Sequence, residues 1–202
     1  MSIELLFGLV TFAFVSSLTP GPNNLMLMAS GANFGFRRTV PHMLGVSIGA
    51  GLMFALIGLG LGQVFDTYPA SRVVLTAASS CYLLYLAWKI ANAAPPKGAE
   101  AEGKPLTFLQ AAAFQWVNPK AWWMGTHAVT TFAPEGAAWL AAVLVAAVFA
   151  AVNLPTITVW ITIGTQIKRL LGRPRLLRAF NWSMAALLVA TLVPVVFPDW
   201  FA

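Results

Sequence analysis

Charged residues are scarce in this chain. They make up 9% of its 202 residues, against roughly 25% in a soluble domain. Acids are scarcer still, with 6 Asp+Glu against 12 Lys+Arg. So few charges cannot coat a water-facing surface, which excludes an ordinary soluble globule. An apolar fraction of 59% equally excludes a disordered chain. A nucleic-acid binder gathers its basic residues on an otherwise polar face. No such face exists here, so the net charge of +6 does not point to nucleic acid. There is a single cysteine, Cys81, which excludes an intrachain disulfide and a cysteine-built metal site. Chemistry-bearing groups are missing too. There is no HExxH, no aspartate dyad, and no base near Ser16 or Ser17, so an intramembrane enzyme lacks its nucleophile–base pair. No cofactor is expected.

What is present is apolar sequence in long runs. A membrane-spanning helix needs about 20 mostly apolar residues. Six candidates satisfy this: Ile3–Asn33, Pro41–Gln63, Pro69–Ile90, Leu106–Phe132, Ala137–Ile163 and Leu176–Phe197. The expected fold is an all-α integral membrane protein, one transporter domain over 1–202. The hydrophilic linker Asn92–Pro105, with its AAPPKGAEAEGKP run, cannot form a packed core. The first span opens MSIELL, without Lys or Arg, and is interrupted by TPGP. It is therefore expected to be a retained helix and not a signal peptide.

Basic residues in short loops set orientation. Arg37 and Arg38 follow span one. Lys89, Lys97 and Lys104 follow span three. Lys168, Arg169, Arg173, Arg175 and Arg178 follow span five. These ten lie on one side, against Arg72 alone on the other. The ten belong in the cytoplasm, which places both termini outside it, in the periplasm. The Lys168–Arg178 run also suits contact with acidic membrane lipid.

Divided at the linker, the chain gives a repeat at 1–93 and a second at 106–202, each with three spans. An odd number of spans per half forces the halves into opposite orientations, the topology of an inverted repeat. The first span of each half is broken near its middle. In the first, the break is Thr19-Pro20-Gly21-Pro22-Asn23-Asn24; in the second, Asn118-Pro119-Lys120. Proline removes a backbone donor and clashes with the carbonyl four residues back. Pro20, Pro22 and Pro119 are thus expected to free the carbonyls of Ser16, Leu18 and Gln115. Gly21 permits a close turn. Unpaired backbone at membrane depth is tolerated where it lines a cavity. Matched breaks in two inverted halves are the best sequence pointer to a transport site.

The chemistry at these breaks is specific. Each starts a half-helix whose free N–H groups suit an anion. Lys120 adds a full positive charge at membrane depth. Asn23, Asn24 and Asn118 add amides, and the freed carbonyls suit an ammonium. Together they suit a zwitterion, the charge pattern of a small amino acid. Asn153 and Pro155 mark a gentler break in span five that is expected to face the same cavity.

At these residues the chain resembles the LysE/RhtB family of bacterial amino-acid exporters. The shared strings are TPGPNN at 19–24, GFRR at 35–38, LGVSIG at 44–49, YLLYLAWK at 82–89, FLQA at 108–111, NPKA at 118–121 and NLP at 153–155. The resemblance covers essentially the whole chain. It implies a six-span inner-membrane exporter driven by the proton gradient. The FGFRR and LAWKIA strings resemble the neutral-substrate branch, which includes cysteine and O-acetylserine exporters. The lack of any acid inside a span fits that branch. It also leaves the coupling proton to His42, His127 or Lys120, since histidine titrates near neutral pH. A rival is an ion or metal transporter on a related scaffold, which would want several carboxylate or thiol ligands within the spans. Gly45 and Gly49 form a GxxxG step that serves packing within the chain or the seam of a homo-oligomer. Trp116, Trp122 and Trp123 flank the second break and are candidates to wall a cavity.

Overall fold

The computed structural model describes residues 1–93, 104–134, 138–170 and 174–197, excepting the side chains of 168–170 and 174. Most of the expected linker, with Lys97, and also Arg173 and the side chains of Lys168 and Arg169, lie outside the described residues. The described elements are all helical. Helix α1 spans Ile3–Leu18 and α2 spans Pro22–Phe34. Ser2 caps α1, its Oγ accepting from Leu5 N at 3.3 Å. The two helices meet at 54° across the first break.

Helix α3 spans Phe36–Gly58 and begins five residues before the expected start at Pro41. The cause is Gly35, whose φ of +83° lies in the left-handed region open to glycine. It turns the chain from α2 to α3 in one residue, so Pro41 falls inside the helix. After α3 comes a short 3₁₀ turn, Leu61–Gln63, where span two was expected to continue, and then α4 (Val64–Thr67), past its expected end at Gln63. Helix α5 (Ala70–Ala91) matches span three within a residue.

The fourth expected span is two short helices, α6 (Phe108–Phe114) and α7 (Pro119–Phe132), with a 3₁₀ turn between. Thr107 and Gln110 form a capping box that starts α6. Helix α8 (Ala138–Leu170) runs on past Ile163 and straight through Pro155. At about 1.5 Å per residue its 33 residues outreach the ~30 Å hydrocarbon layer. Helix α9 (Pro174–Ala190) continues into α10 (Val193–Val196) after a turn. Among the described residues four helices are long and apolar enough to cross a membrane, five if α1 and α2 form one span.

Helix α8 is the centre of the bundle. It packs on α1, α2 and α3; α3 packs also on α6 and α7; α5 packs on α9 and α2 reaches α9. Two seams are made by small residues. A Cβ at Gly164 would strike the carbonyl of Met28, and one at Gly31 would meet that of Ile161, so α2 and α8 cross backbone to backbone. A Cβ at Gly45 would strike the carbonyl of Phe108, and one at Gly49 would lie 2.6 Å from Ala112 Cα. The GxxxG step therefore seats α6 within the chain, as small residues do where helices approach closely.

The core divides accordingly. One cluster holds Leu9, Phe54, Trp122 and Phe149, with Phe54 edge-on to Phe149 at 4.6 Å. A second holds Leu83, Phe114 and Leu188. Large apolar side chains such as Phe7, Val73, Trp88 and Leu109 point outward, where a bilayer would cover them.

Candidate functional site

At the first break α1 ends before the prolines. Thr19 is extended, with φ −60° and ψ 132°, and Gly21 is extended as well. A helix that stops at Leu18 leaves the carbonyls of its last turn without N–H partners. Asn24 answers them from the first turn of α2, its Nδ2 donating to Ser17 O at 2.7 Å and Thr19 O at 2.9 Å. The carbonyls that take side-chain donors are thus those of Ser17 and Thr19, displaced by one from the expected Ser16 and Leu18. The shift follows from the chain leaving the helix at Thr19, ahead of Pro20. Pro22 stands at the first position of α2, where its missing N–H costs nothing.

The second break has different carpentry. Gln115–Val117 tighten into a 3₁₀ turn, and Asn118 N–H donates to Gln115 O at 3.2 Å. The Gln115 carbonyl, expected to be free, is therefore occupied by the turn. Asn118 then caps α7, its Oδ1 accepting from Lys120 N at 3.2 Å, with Pro119 at the first helical position. The Trp116 carbonyl takes Trp122 Nε1 at 2.9 Å, and Val117 O takes Ser79 Oγ.

The two breaks meet. Lys120 Nζ donates to Thr19 O at 2.7 Å. Its stem fills the space a side chain at Gly21 would need, with Lys120 Cδ 2.8 Å from a Cβ built there. Asn23 and Gln115 exchange two amide hydrogen bonds, of 2.9 and 3.1 Å. From α8, Asn153 Nδ2 donates to Ser17 Oγ at 3.0 Å. Asn153 Oδ1 is buried without a partner.

These groups enclose a small cavity. Gly21, Asn23, Asn24, Asn118, Lys120 and Asn153 line it, as do Ser16, Ser17, Met124 and Ile157. It holds about 20 Å³ for water centres, room for one or two waters. Its lining carries one cation, several amides and no acid. A carboxylate is matched by Lys120; an ammonium is matched by the spare acceptor Asn153 Oδ1 and by Thr19 O.

Of the expected site residues, six lie on the cavity wall and Thr19 contributes its carbonyl. Pro22 and Pro119 shape the two helix starts. Pro20 is exposed and faces Leu187 and Thr191 of the last helices, away from the cavity. Trp122 is buried in the core, while Trp123 is exposed and stacks on His127 at 5.5 Å. None of the three tryptophans lines the cavity. His127 is exposed in an aromatic group with Phe12 and Phe132, outside it. His42 is buried on α3 at 1% exposure, beside a different cavity.

Sequence reasoning did not single out the Gln115 side chain or Ser17. The signal for Gln115 was present: an uncharged amide in a span is costly unless partnered, and Gln115 stands three residues before Asn118. Among the described residues no group of three or more His, Cys, Asp or Glu side chains gathers to hold a metal ion.

Comparison with known proteins gives the same direction. The family model for LysE type translocators matches residues 14–195. The chain is 31% identical over 204 residues to the cysteine/O-acetylserine efflux protein of Escherichia coli strain K12, covering 96% of this chain and 99% of that protein. It is 32% identical over 203 residues to the cysteine/O-acetylserine efflux protein of Klebsiella pneumoniae subsp. pneumoniae, covering 97% and 99%. No solved structure matches the chain.

Proposed function

The chain belongs to the LysE family of translocators, and from that premise we propose that it exports small neutral amino acids or their derivatives from the bacterial cytoplasm. Cysteine and O-acetylserine, named for its relatives, head the substrate list. The observation that carries the reading is the cavity where Lys120 crosses to Thr19 and Asn153 Oδ1 waits unpaired. A substrate carboxylate takes Lys120 from the Thr19 carbonyl. Its ammonium takes Thr19 O and Asn153 Oδ1. The cavity holds only one or two waters, so binding has to part the two breaks, starting at the Asn23–Gln115 amide pair.

Parting the breaks suits alternating access by two inverted halves across six spans in the inner membrane. The packing supports that arrangement. Exchange of the halves carries α3 to α8 and α5 to α9, the contact of α1 on α8 onto that of α6 on α3, and the contact of α2 on α8 onto that of α7 on α3. Both termini face the periplasm in this reading. A periplasm-only reporter fused after Ala202 should be active and a cytoplasm-only reporter silent. Export runs as antiport against the proton gradient. Lys120 is the proton carrier best placed to sense substrate, because the carboxylate binds it directly; His42 and His127 lie outside the cavity.

The experiment is efflux of radiolabelled amino acids from cells overproducing the protein, with and without a protonophore. Export of neutral amino acids that collapses with the protonophore supports the reading. Export of a divalent cation instead would favour the rival ion transporter, which the carboxylate-free cavity lining disfavours.

A further inference from the structure

A second cavity lies beside the first along α2. Asn23 lines the cavity at the breaks and Met26 lines the other, three residues on, on the same face of the helix and about 4.5 Å further along its axis. This second space, about 490 Å³ including its open mouth, is bounded by α2, α3, α5 and residues 104–106. It is the larger, with about 80 Å³ for water centres. It sits at the end of the bundle carrying Arg37, Arg38, Lys89 and Lys104, the cytoplasmic end in the orientation proposed above.

Its wall is mostly apolar, and its polar groups fall into two kinds. Ser30 and Asn33 already have protein partners: Ser30 Oγ pairs with Thr39 Oγ1 at 2.9 Å, and Asn33 exchanges amide bonds of 2.8 and 3.0 Å with Asn181. His42 does not. It is 1% exposed and neither ring nitrogen has a partner. A buried polar group left unmatched in a folded protein calls for a ligand, water or function to explain it. At the mouth, Lys89 and Lys104 supply two cations, and no described lining residue is acidic.

We propose that this cavity is a cytoplasmic vestibule that binds the amino acid before it reaches the breaks. The lysines at the mouth take the carboxylate, His42 hydrogen-bonds the polar end of the substrate, and the apolar wall formed by Met26, Leu86 and Leu106 accepts its short side chain. The inference rests on the exporter reading and adds a second amino-acid site to it. The two sites follow one another along α2, with Asn23 at one and Met26 at the other on the same face of the helix.

The test uses protection of a reporter thiol, in full-length protein with Cys81→Ser. Ile90→Cys reports the vestibule and Met124→Cys the cavity at the breaks. The probe is O-acetyl-L-serine against a small methanethiosulfonate reagent. Protection scales as 1 + [L]/Kd, so labelling should slow about threefold at twice the dissociation constant. The expected result is protection at both thiols. Adding Lys120→Met should abolish it at Met124→Cys and keep it at Ile90→Cys. Adding His42→Phe should abolish it at Ile90→Cys; the surface pair Lys89→Gln with Lys104→Gln, which leaves the core intact, should weaken it several-fold. Protection at Met124→Cys alone overturns the vestibule and leaves the exporter reading standing. Equal protection by sodium acetate overturns the amino-acid assignment in favour of a plain anion site. No protection at either thiol overturns both.

Discussion

Lys120 Nζ donates to the carbonyl oxygen of Thr19 at 2.7 Å, across 101 residues of sequence. That one bond joins the two broken helices. Thr19 O accepts also from Asn24 Nδ2, so one carbonyl holds a cation and an amide together. In the function proposed above, the Thr19 carbonyl holds the place on Lys120 that a substrate carboxylate takes. Binding is then an exchange of one acceptor for a stronger, charged one, since charge-assisted hydrogen bonds are roughly twice as strong as neutral ones.

Replacing Lys120 tests that exchange. A lone lysine at membrane depth costs roughly 2.5–3.5 kcal/mol on insertion scales. Lys120→Met keeps the stem's bulk, so the protein should insert and fold at least as stably. At a substrate concentration about 100 times Kd, the wild type should gain ~2.7 kcal/mol of stability. A site weakened about a hundredfold gains only about 0.4 kcal/mol at the same concentration. Thermal unfolding of purified protein with O-acetyl-L-serine should show that collapse. Lys120→Arg should retain part of the shift, since the charge persists in a different geometry. An unchanged shift in Lys120→Met would falsify the carboxylate role.

Gly21 gives the same contact from the other side. Its backbone is extended, with φ −172°, so any residue can adopt it and strain is not the issue. A Cβ there would instead press on the Lys120 stem at 2.8 Å. Gly21→Ala should therefore displace Lys120 from Thr19 and cut export without loss of inserted protein. Combined with Lys120→Met it should add little, because residues sharing one interaction are not additive. Efflux from the double variant well below that of Lys120→Met would show that Gly21 acts by another route.

The breaks were legible in sequence because proline and glycine act on their own backbone. TPGPNN and NPK announce where a helix must stop, whichever neighbours it meets. Asn24, Asn118 and Lys120 were legible with them, as polar groups at membrane depth. Partner choice was not legible. Nothing local to Gln115 says that its amide meets Asn23, 92 residues away, or that Asn153 reaches Ser17. The start of span two was misplaced because Pro41 reads as a first-turn residue. The conformation of Gly35, which starts the helix earlier, is a property of the packed turn. The burial of His42 was not legible either, because α3 is covered by α2, α6, α7 and α8, which only the packed chain brings together.

The glycine seams differ in what they can absorb. At Gly164 a Cβ would strike the backbone carbonyl of Met28, which cannot yield without moving α2. Gly164→Ala should destabilise by about 1–3 kcal/mol or more, the range for overpacking. At Gly51 the nearest atom to an added Cβ is Ala150 Cβ at 3.4 Å, an ordinary contact, so Gly51→Ala should be tolerated. Detergent-extracted yield and melting temperature should separate the two. Equal tolerance would mean that α2 and α8 do not cross as closely as the structure places them.

The Asn23–Gln115 pair is the remaining tie between the breaks, and its loss should act on stability and transport in opposite directions. Each amide both donates to and accepts from the other. Gln115 Nε2 also reaches Ala111 O at 2.9 Å, so the pair is anchored on the α6 side. Hydrogen bonds between helices in membranes contribute about 0.6 kcal/mol on average and up to about 1.7. Gln115→Leu should lower stability by that order and leave Asn23 facing an apolar neighbour. Asn23→Leu should do the same, and the double variant should cost less than the two single losses together, because neither amide is then left unmatched. If opening begins at this pair, the double variant should exchange between closed and open states faster. Its Met124→Cys thiol should label faster than the same thiol in the otherwise unmodified protein without substrate. Additive stability losses with unchanged labelling would reduce the pair to ordinary helix packing and move the opening step elsewhere.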